Sequence, residues 1–159
     1  ENYTKNIEAH QAYSMGLFHW NQRTEEGLKK AVEYFESAVK ADPNFALGYA
    51  YLADAYSLIV YYRINPAQKE EFLQKAKQAA LKALELDPNC SEAMTALATI
   101  NTGENRVNDS FGLLKKAIEV KPNNVAARQR IAWMYAHQDD LEKAAAEMKT
   151  AQNLDPQAR

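Results

Sequence analysis

The run from Val125 to Pro156, VAARQRIAWMYAHQDDLEKAAAEMKTAQNLDP, decides the fold. Ile131, Ala132 and Tyr135 fall on one face of a first helix, and Ala144, Met148 and Ala151 fall on one face of a second, at the spacing of a buried helical stripe. Asp139 and Asp140 separate the two. Small residues at 132, 144 and 151 let two backbones approach closely while larger neighbours fill the gaps, and Pro156 cannot continue the helix before it. The run reads as a helical hairpin.

Three other stretches repeat it. Asp42-Pro43, Asp87-Pro88, Lys121-Pro122 and Asp155-Pro156 mark successive ends, separated by 45, 34 and 34 residues. The expected repeats cover about residues 7–43, 44–88, 89–122 and 123–156, within one domain over 1–159. In the first, helices are expected over 7–21 and 24–41, with Thr24 capping the second and Glu25 and Glu26 favouring its positive end. In the second they cover 45–62 and about 66–86, started by Asn65-Pro66. Eleven residues beyond the 34-residue period fall here, and unbroken periodicity assigns them to longer helices. Each gains about 1.5 turns, so the hairpin projects by roughly 8 Å, with Tyr61, Tyr62, Ile64 and Phe72 packed at its tip. Asn89 to Glu92 and Asp139 to Glu142 read as capping boxes for the third repeat's first helix and the fourth repeat's second.

The 34-residue period, with large-small pairs such as Met15-Gly16 and Leu97-Ala98 on first helices and Ala31, Phe35 and Ala38 on a second, resembles the tetratricopeptide repeat, or TPR. The resemblance implies an all-α solenoid of four helix-turn-helix repeats stacked into a right-handed superhelix. Arg128 stands where the family has an aromatic, and Asn101 where it has tyrosine. The first repeat is more specific, in Ala9-His10-Gln11-Ala12-Tyr13, Gly16 to Ala31, Glu33-Tyr34-Phe35, Asp42 to Ala46 and Leu52-Ala53-Asp54-Ala55-Tyr56. It is similar to the TPR segment C-terminal to an effector in bacterial multidomain regulators: winged-helix (CadC-type) transcription regulators, adenylate or guanylate cyclases, and some serine/threonine kinases. No effector motif is present. The chain opens at Glu1 without a methionine, and we expect a segment of a longer protein fused to an effector.

Composition narrows the chemistry. Nineteen Lys and Arg against 21 Asp and Glu give a net charge of −2, which provides no field to gather nucleic acid. The apolar run around Leu58 to Tyr62 is far shorter than the roughly 20 residues of a membrane helix, so no span is expected; the side of a membrane stays open. His10, His19 and His137 lack metal-ligand spacing, and there is no phosphate loop or serine elbow. The acidic pairs Glu25-Glu26, Glu70-Glu71 and Asp139-Asp140 sit in helix first turns, where the dipole accounts for them. No catalytic residue, cofactor or metal is expected. Cys90 reads as a small residue at a helix start.

Stacked hairpins leave a concave face lined by first helices, which takes extended peptides or partner helices. In the register that the resemblance implies, it presents Tyr13, Leu17 and Trp20, then Leu47 and Asp54, then Glu92, then Gln129, Trp133 and His137, with no carboxylate clamp. Asp54 and Glu92 predict a basic or neutral partner. The reading is a non-catalytic docking or sensing module that binds a protein or peptide. The alternatives are a self-association module that dimerises its effector and, from another class, an enzyme or metal-dependent domain. Gln152, where Val39, Leu84 and Ile118 stand in earlier repeats, predicts that the fourth repeat ends the array.

Overall fold

Eight α-helices and one 3₁₀ turn follow one another along residues 4–156, the part that the computed structural model describes. They are α1 (Ile7–Asn21), α2 (Glu25–Ala41), α3 (Ala46–Tyr61), α4 (Lys69–Leu86), α5 (Ser91–Gly103), α6 (Val107–Val120), α7 (Val125–His137) and α8 (Leu141–Leu154). Each odd helix packs on the even one after it, and each pair packs on the next, which is the expected all-α TPR solenoid.

The turns inside the last three hairpins share one device. Arg63, Asn105 and Asp139 sit at positive φ just past α3, α5 and α7. The next amide in each case donates to the carbonyl five residues back: Ile64 to Ile59, Arg106 to Asn101 and Asp140 to Tyr135. That is the Schellman closure, which usually places glycine at the left-handed position; here none of the left-handed residues is glycine. Between hairpins, the Asp42 and Asp87 side chains accept from the amides of Asn44 and Asn89 at 3.0 Å. The next amide but one starts the following helix, and Phe45, Cys90 and Asn124 fill that same slot, all buried.

Two expected capping boxes are not formed. Asn89 uses its amide on Asp87, Cys90 takes the cap position of α5, and Glu92 pairs with Lys121 instead of reaching back. At α8 the cap is Asp140, accepting from the Lys143 amide, because Asp139 is committed to the left-handed turn. Thr24 caps α2 as expected, through the Gly27 amide at 3.0 Å.

The insertion in the second repeat is only partly helical. α3 and α4 have 16 and 18 residues against 13 and 14 for α5 and α6, so each gains about one turn, or roughly 5 Å. The rest forms the connection, which closes on Asn65 at φ 53° and a 3₁₀ turn, Pro66–Gln68. Ile64 is buried and Phe72 stacks on Tyr56 at 5.6 Å, but Tyr61 and Tyr62 are 70% and 49% exposed, which corrects the expected packed tip. They rest on one another at 5.3 Å.

An aromatic cluster holds the first three helices together. Phe35 on α2 is fully buried, with Tyr13 at 6.0 Å and Tyr51 at 5.8 Å, and Tyr13 also meets Phe45 edge-on at 5.1 Å. Gly16 makes room for Phe35, since a Cβ there would lie 2.5 Å from the ring. Further along, polar pairs take over the unusual slots. Arg128 donates to the Pro122 carbonyl at 2.8 Å and to Glu147 on α8 at 2.6 Å, replacing an aromatic by an ion pair. Asn101 is buried and accepts from Arg106.

Candidate functional site

The concave face is made by α1, α3, α5 and α7, and its shape starts from the size of the residues on α5. That helix offers Thr95, Ala98, Thr99, Thr102 and Gly103 to the concave side. The three threonine hydroxyls reach carbonyls four residues back, at 2.8, 3.1 and 2.9 Å, and Thr95 also accepts from Asn124 while Thr102 also meets Ser110, so these side chains fold down onto the protein instead of rising from the floor. Over so shallow a floor, the helices on either side come within reach of one another. Arg130 on α7 donates to Asp54 on α3 at 2.6 Å, across 76 residues of sequence. The second Asp54 oxygen accepts from Trp20 Nε1 at 2.9 Å.

This bridge divides the concave face. On one side lies a cavity of about 590 Å³ lined by Leu58, Val60, Tyr61, Leu73, Ile100, Leu114, Trp133, Met134 and Met148, with Ser57, Gln129 and the α5 floor. Among the described residues that line it, Arg130 alone is charged. On the other side a smaller pocket, about 230 Å³, is lined by Trp20, Tyr51, Glu92, Lys121, Asn123 and Val125. Arg130 lines both.

The charges are arranged around Trp20. The Arg23 guanidinium lies 3.7 Å from the centre of its ring. Partial burial lowers the pKa of Arg23, Asp54 opposes that shift and Arg130 adds to it, so Arg23 senses both partners of the bridge. It remains protonated at any ordinary pH. Asp54 is buried but fully engaged, and Glu92 is paired with Lys121. The two acids that implied a basic or neutral partner are thus already neutralised from within the chain.

The sequence-derived residues divide into two groups. Gln129 and Trp133 line the large cavity, Trp20, Asp54 and Glu92 the small one. Trp133 is half-exposed and lies against the tilted His137 ring at 3.7 Å, while His137 Nδ1 meets the Trp133 carbonyl at 2.9 Å. Tyr13 and Leu47 are buried and Leu17 packs against the same core, so these three line neither cavity. Sequence reasoning misses Arg130, Arg23, Tyr61 and Met148. Arg130 is adjacent to the Gln129 slot, but its partner Asp54 lies two repeats away and no local pattern pairs them.

Cys90 is 2% exposed, and desolvation pushes its thiol up to about 11. It is therefore protonated near neutrality, and a thiol reagent should modify it slowly in the native chain and rapidly in denaturant. The unfolded thiol ionises first, so the stability that this group contributes is intact below about pH 8.5 and declines as pH rises toward 11. Rapid native-state alkylation at pH 8 would contradict this.

Among the described residues, no group of three or more His, Cys, Asp or Glu could hold a metal ion, and no helix is long and apolar enough to cross a membrane.

A family model described as "Tetratricopeptide repeat" matches residues 125–158. Among curated proteins, the transcriptional regulator HilA of Salmonella typhimurium strain LT2 is 29% identical over 150 residues, covering 94% of this chain and 27% of HilA. The chain thus spans about a quarter of that relative's length. Superkiller protein 3 of Schizosaccharomyces pombe is 25% identical over 130 residues, 82% of this chain and 9% of that protein. Among solved structures, a thermophilic TPR protein of Thermus thermophilus superposes with a TM-score of 0.77 at 16% identity, covering 96% of this chain and 77% of the other. The crystal structure of MamA gives 0.58 at 19% identity, covering 95% and 80%. At these identities the structural likeness is one of fold.

Proposed function

We propose that this chain, which is built of tetratricopeptide repeats, is a docking or sensing module of a bacterial transcription regulator and binds a segment of a protein partner on its concave face. The large apolar cavity between α3, α5 and α7 carries this reading. A half-exposed Trp133 stands at its wall, and aromatic side chains set in apolar hollows are the ones that most often dominate protein interfaces. Its volume lies in the range of ligand pockets and suits a few large apolar side chains. The likeness to HilA supports the regulatory context, with the effector lying in the remainder of a longer protein. In such an arrangement the repeats contribute recognition and leave the chemistry or DNA contact to the fused domain.

Gly103 provides a clean test. A Cβ there meets no atom within 4 Å, and Gly103 lines the large cavity, so the first atom of Gly103→Met is free of clashes and its flexible side chain has the hollow within reach. Removing a helical glycine also favours the fold slightly. Peptides selected from a displayed random library on the parent chain should bind Gly103→Met and Trp133→Ala at least about tenfold more weakly, a loss of about 1.4 kcal/mol or more. Thermal stability of Gly103→Met should be unchanged or raised. Selected peptides that bind both variants as they bind the parent would move the site to another face.

A further inference from the structure

We infer that the partner segment is acidic as well as apolar: it fills the large cavity with bulky side chains and sets a side-chain carboxylate against Arg130 and Arg23. This rests on the concave-face reading above and adds the partner's charge to it. The inference reverses the expectation drawn from Asp54 and Glu92 alone.

The charges on the concave face do not balance. Arg130 and Lys121 in the cavity walls, with Arg23 on the Trp20 ring beside them, meet two acids in those walls, Asp54 and Glu92, so this group has one cation more than it has acids although the chain as a whole carries −2. The surplus is localised. Lys121 is engaged by Glu92, whereas both Asp54 oxygens are taken, by Arg130 and by Trp20, and Arg23 rests on the Trp20 ring without a carboxylate of its own among the ion pairs of the described residues. Arg130 uses one nitrogen on Asp54, and a guanidinium has five N–H donors in a fixed fork. Arg130 also lines the apolar cavity, where no acid opposes it. A carboxylate beside bulky apolar groups therefore meets the wall that Arg130 provides, in surroundings where charge-assisted hydrogen bonds are strong. A lysine or arginine on the partner would meet like charge.

The test uses a random peptide library displayed with both ends in peptide linkage, so that no free C-terminal carboxylate takes part. Enriched clones on the parent chain should combine large apolar residues with glutamate or aspartate. They should bind Arg130→Gln about tenfold more weakly, and Asp54→Asn severalfold more tightly, because the asparagine oxygen still accepts from Trp20 while Arg130 is released. Opposite responses at the two ends of one ion pair cannot both arise from unfolding. Enrichment of neutral or basic clones that still depend on Gly103 would overturn the charge inference and leave the concave-face reading standing. Acidic clones indifferent to Arg130→Gln would also overturn it. Clones indifferent to Gly103→Met would overturn the concave-face reading, and this inference with it.

Discussion

Phe35→Ala should destabilise the chain by about 3–5 kcal/mol, as expected for truncating a fully buried aromatic side chain. The ring is contacted from α1 by Tyr13 and from α3 by Tyr51, so its loss opens a void between three helices that none can fill without moving. Gly16 makes the prediction sharper. In the parent, Gly16→Ala places a methyl 2.5 Å from the Phe35 ring, and the ring has no room to retreat, so the substitution should cost about 1–3 kcal/mol. In the Phe35→Ala background the same methyl enters the void, and Gly16→Ala should become neutral or stabilising. Urea denaturation of the four chains measures the cycle. Equal costs of Gly16→Ala in both backgrounds would mean that the glycine answers to backbone conformation and not to the ring.

That pair also shows what is legible in the sequence. Gly16 and Ala31-Phe35-Ala38 can be read as complementary surfaces because each sits on one helix with its own periodicity, and the structure packs them so, whereas Met15, the large member of the expected pair, is 42% exposed. The ends of the second helices can be read too, since Asp-Pro and Lys-Pro pairs punctuate them locally. Turns within hairpins are less legible, because the left-handed residues there include Arg23, Arg63, Asn105 and Asp139, and nothing but glycine announces such a conformation reliably. The expected cap of α8 is off by one residue for that reason. The concave face is the least legible. Its register identifies Trp133 and Gln129, but the feature that divides it is an ion pair between α3 and α7 over the top of α5. That pair depends on the curvature of the stack and on how shallow the α5 residues leave the floor. Helical phase assigns Tyr61 to the tip's packing, whereas the structure places it on the cavity wall, since phase alone does not say which neighbour is there.

Asn124 should be the most sensitive polar position. Its Oδ1 accepts from the Ala127 amide at 3.0 Å and caps α7, while its Nδ2 donates to Ser91 Oγ at 2.7 Å and to Thr95 Oγ1 at 3.1 Å. Ser91 in turn donates to the Ala117 carbonyl at 2.8 Å, so one buried amide joins α5, the end of α6 and the start of α7. Asn124→Ala removes the cap, about 1 kcal/mol, and leaves buried hydroxyl oxygens without their donor, about 1–3 kcal/mol more. Asn124→Asp separates the two contributions. Aspartate caps a helix as well as asparagine does, so a role limited to capping predicts almost no loss. Here both hydroxyl protons are already committed, Ser91's to Ala117 and Thr95's to the Ser91 carbonyl, so the second carboxylate oxygen would face two oxygens with no proton between them. The expected result is that Asn124→Asp loses at least as much stability as Asn124→Ala at pH 7 and regains part of it as the solution is acidified and the carboxyl takes up a proton. A buried carboxylate in this setting has its folded pKa raised, so the penalty is greatest above that pKa and fades below the unfolded value near 4. Urea midpoints at pH 7 and near pH 4, each relative to the parent chain at the same pH, provide the measurement. An aspartate variant as stable as the parent at pH 7 would reduce Asn124 to a helix cap and remove it as the link between the third and fourth repeats.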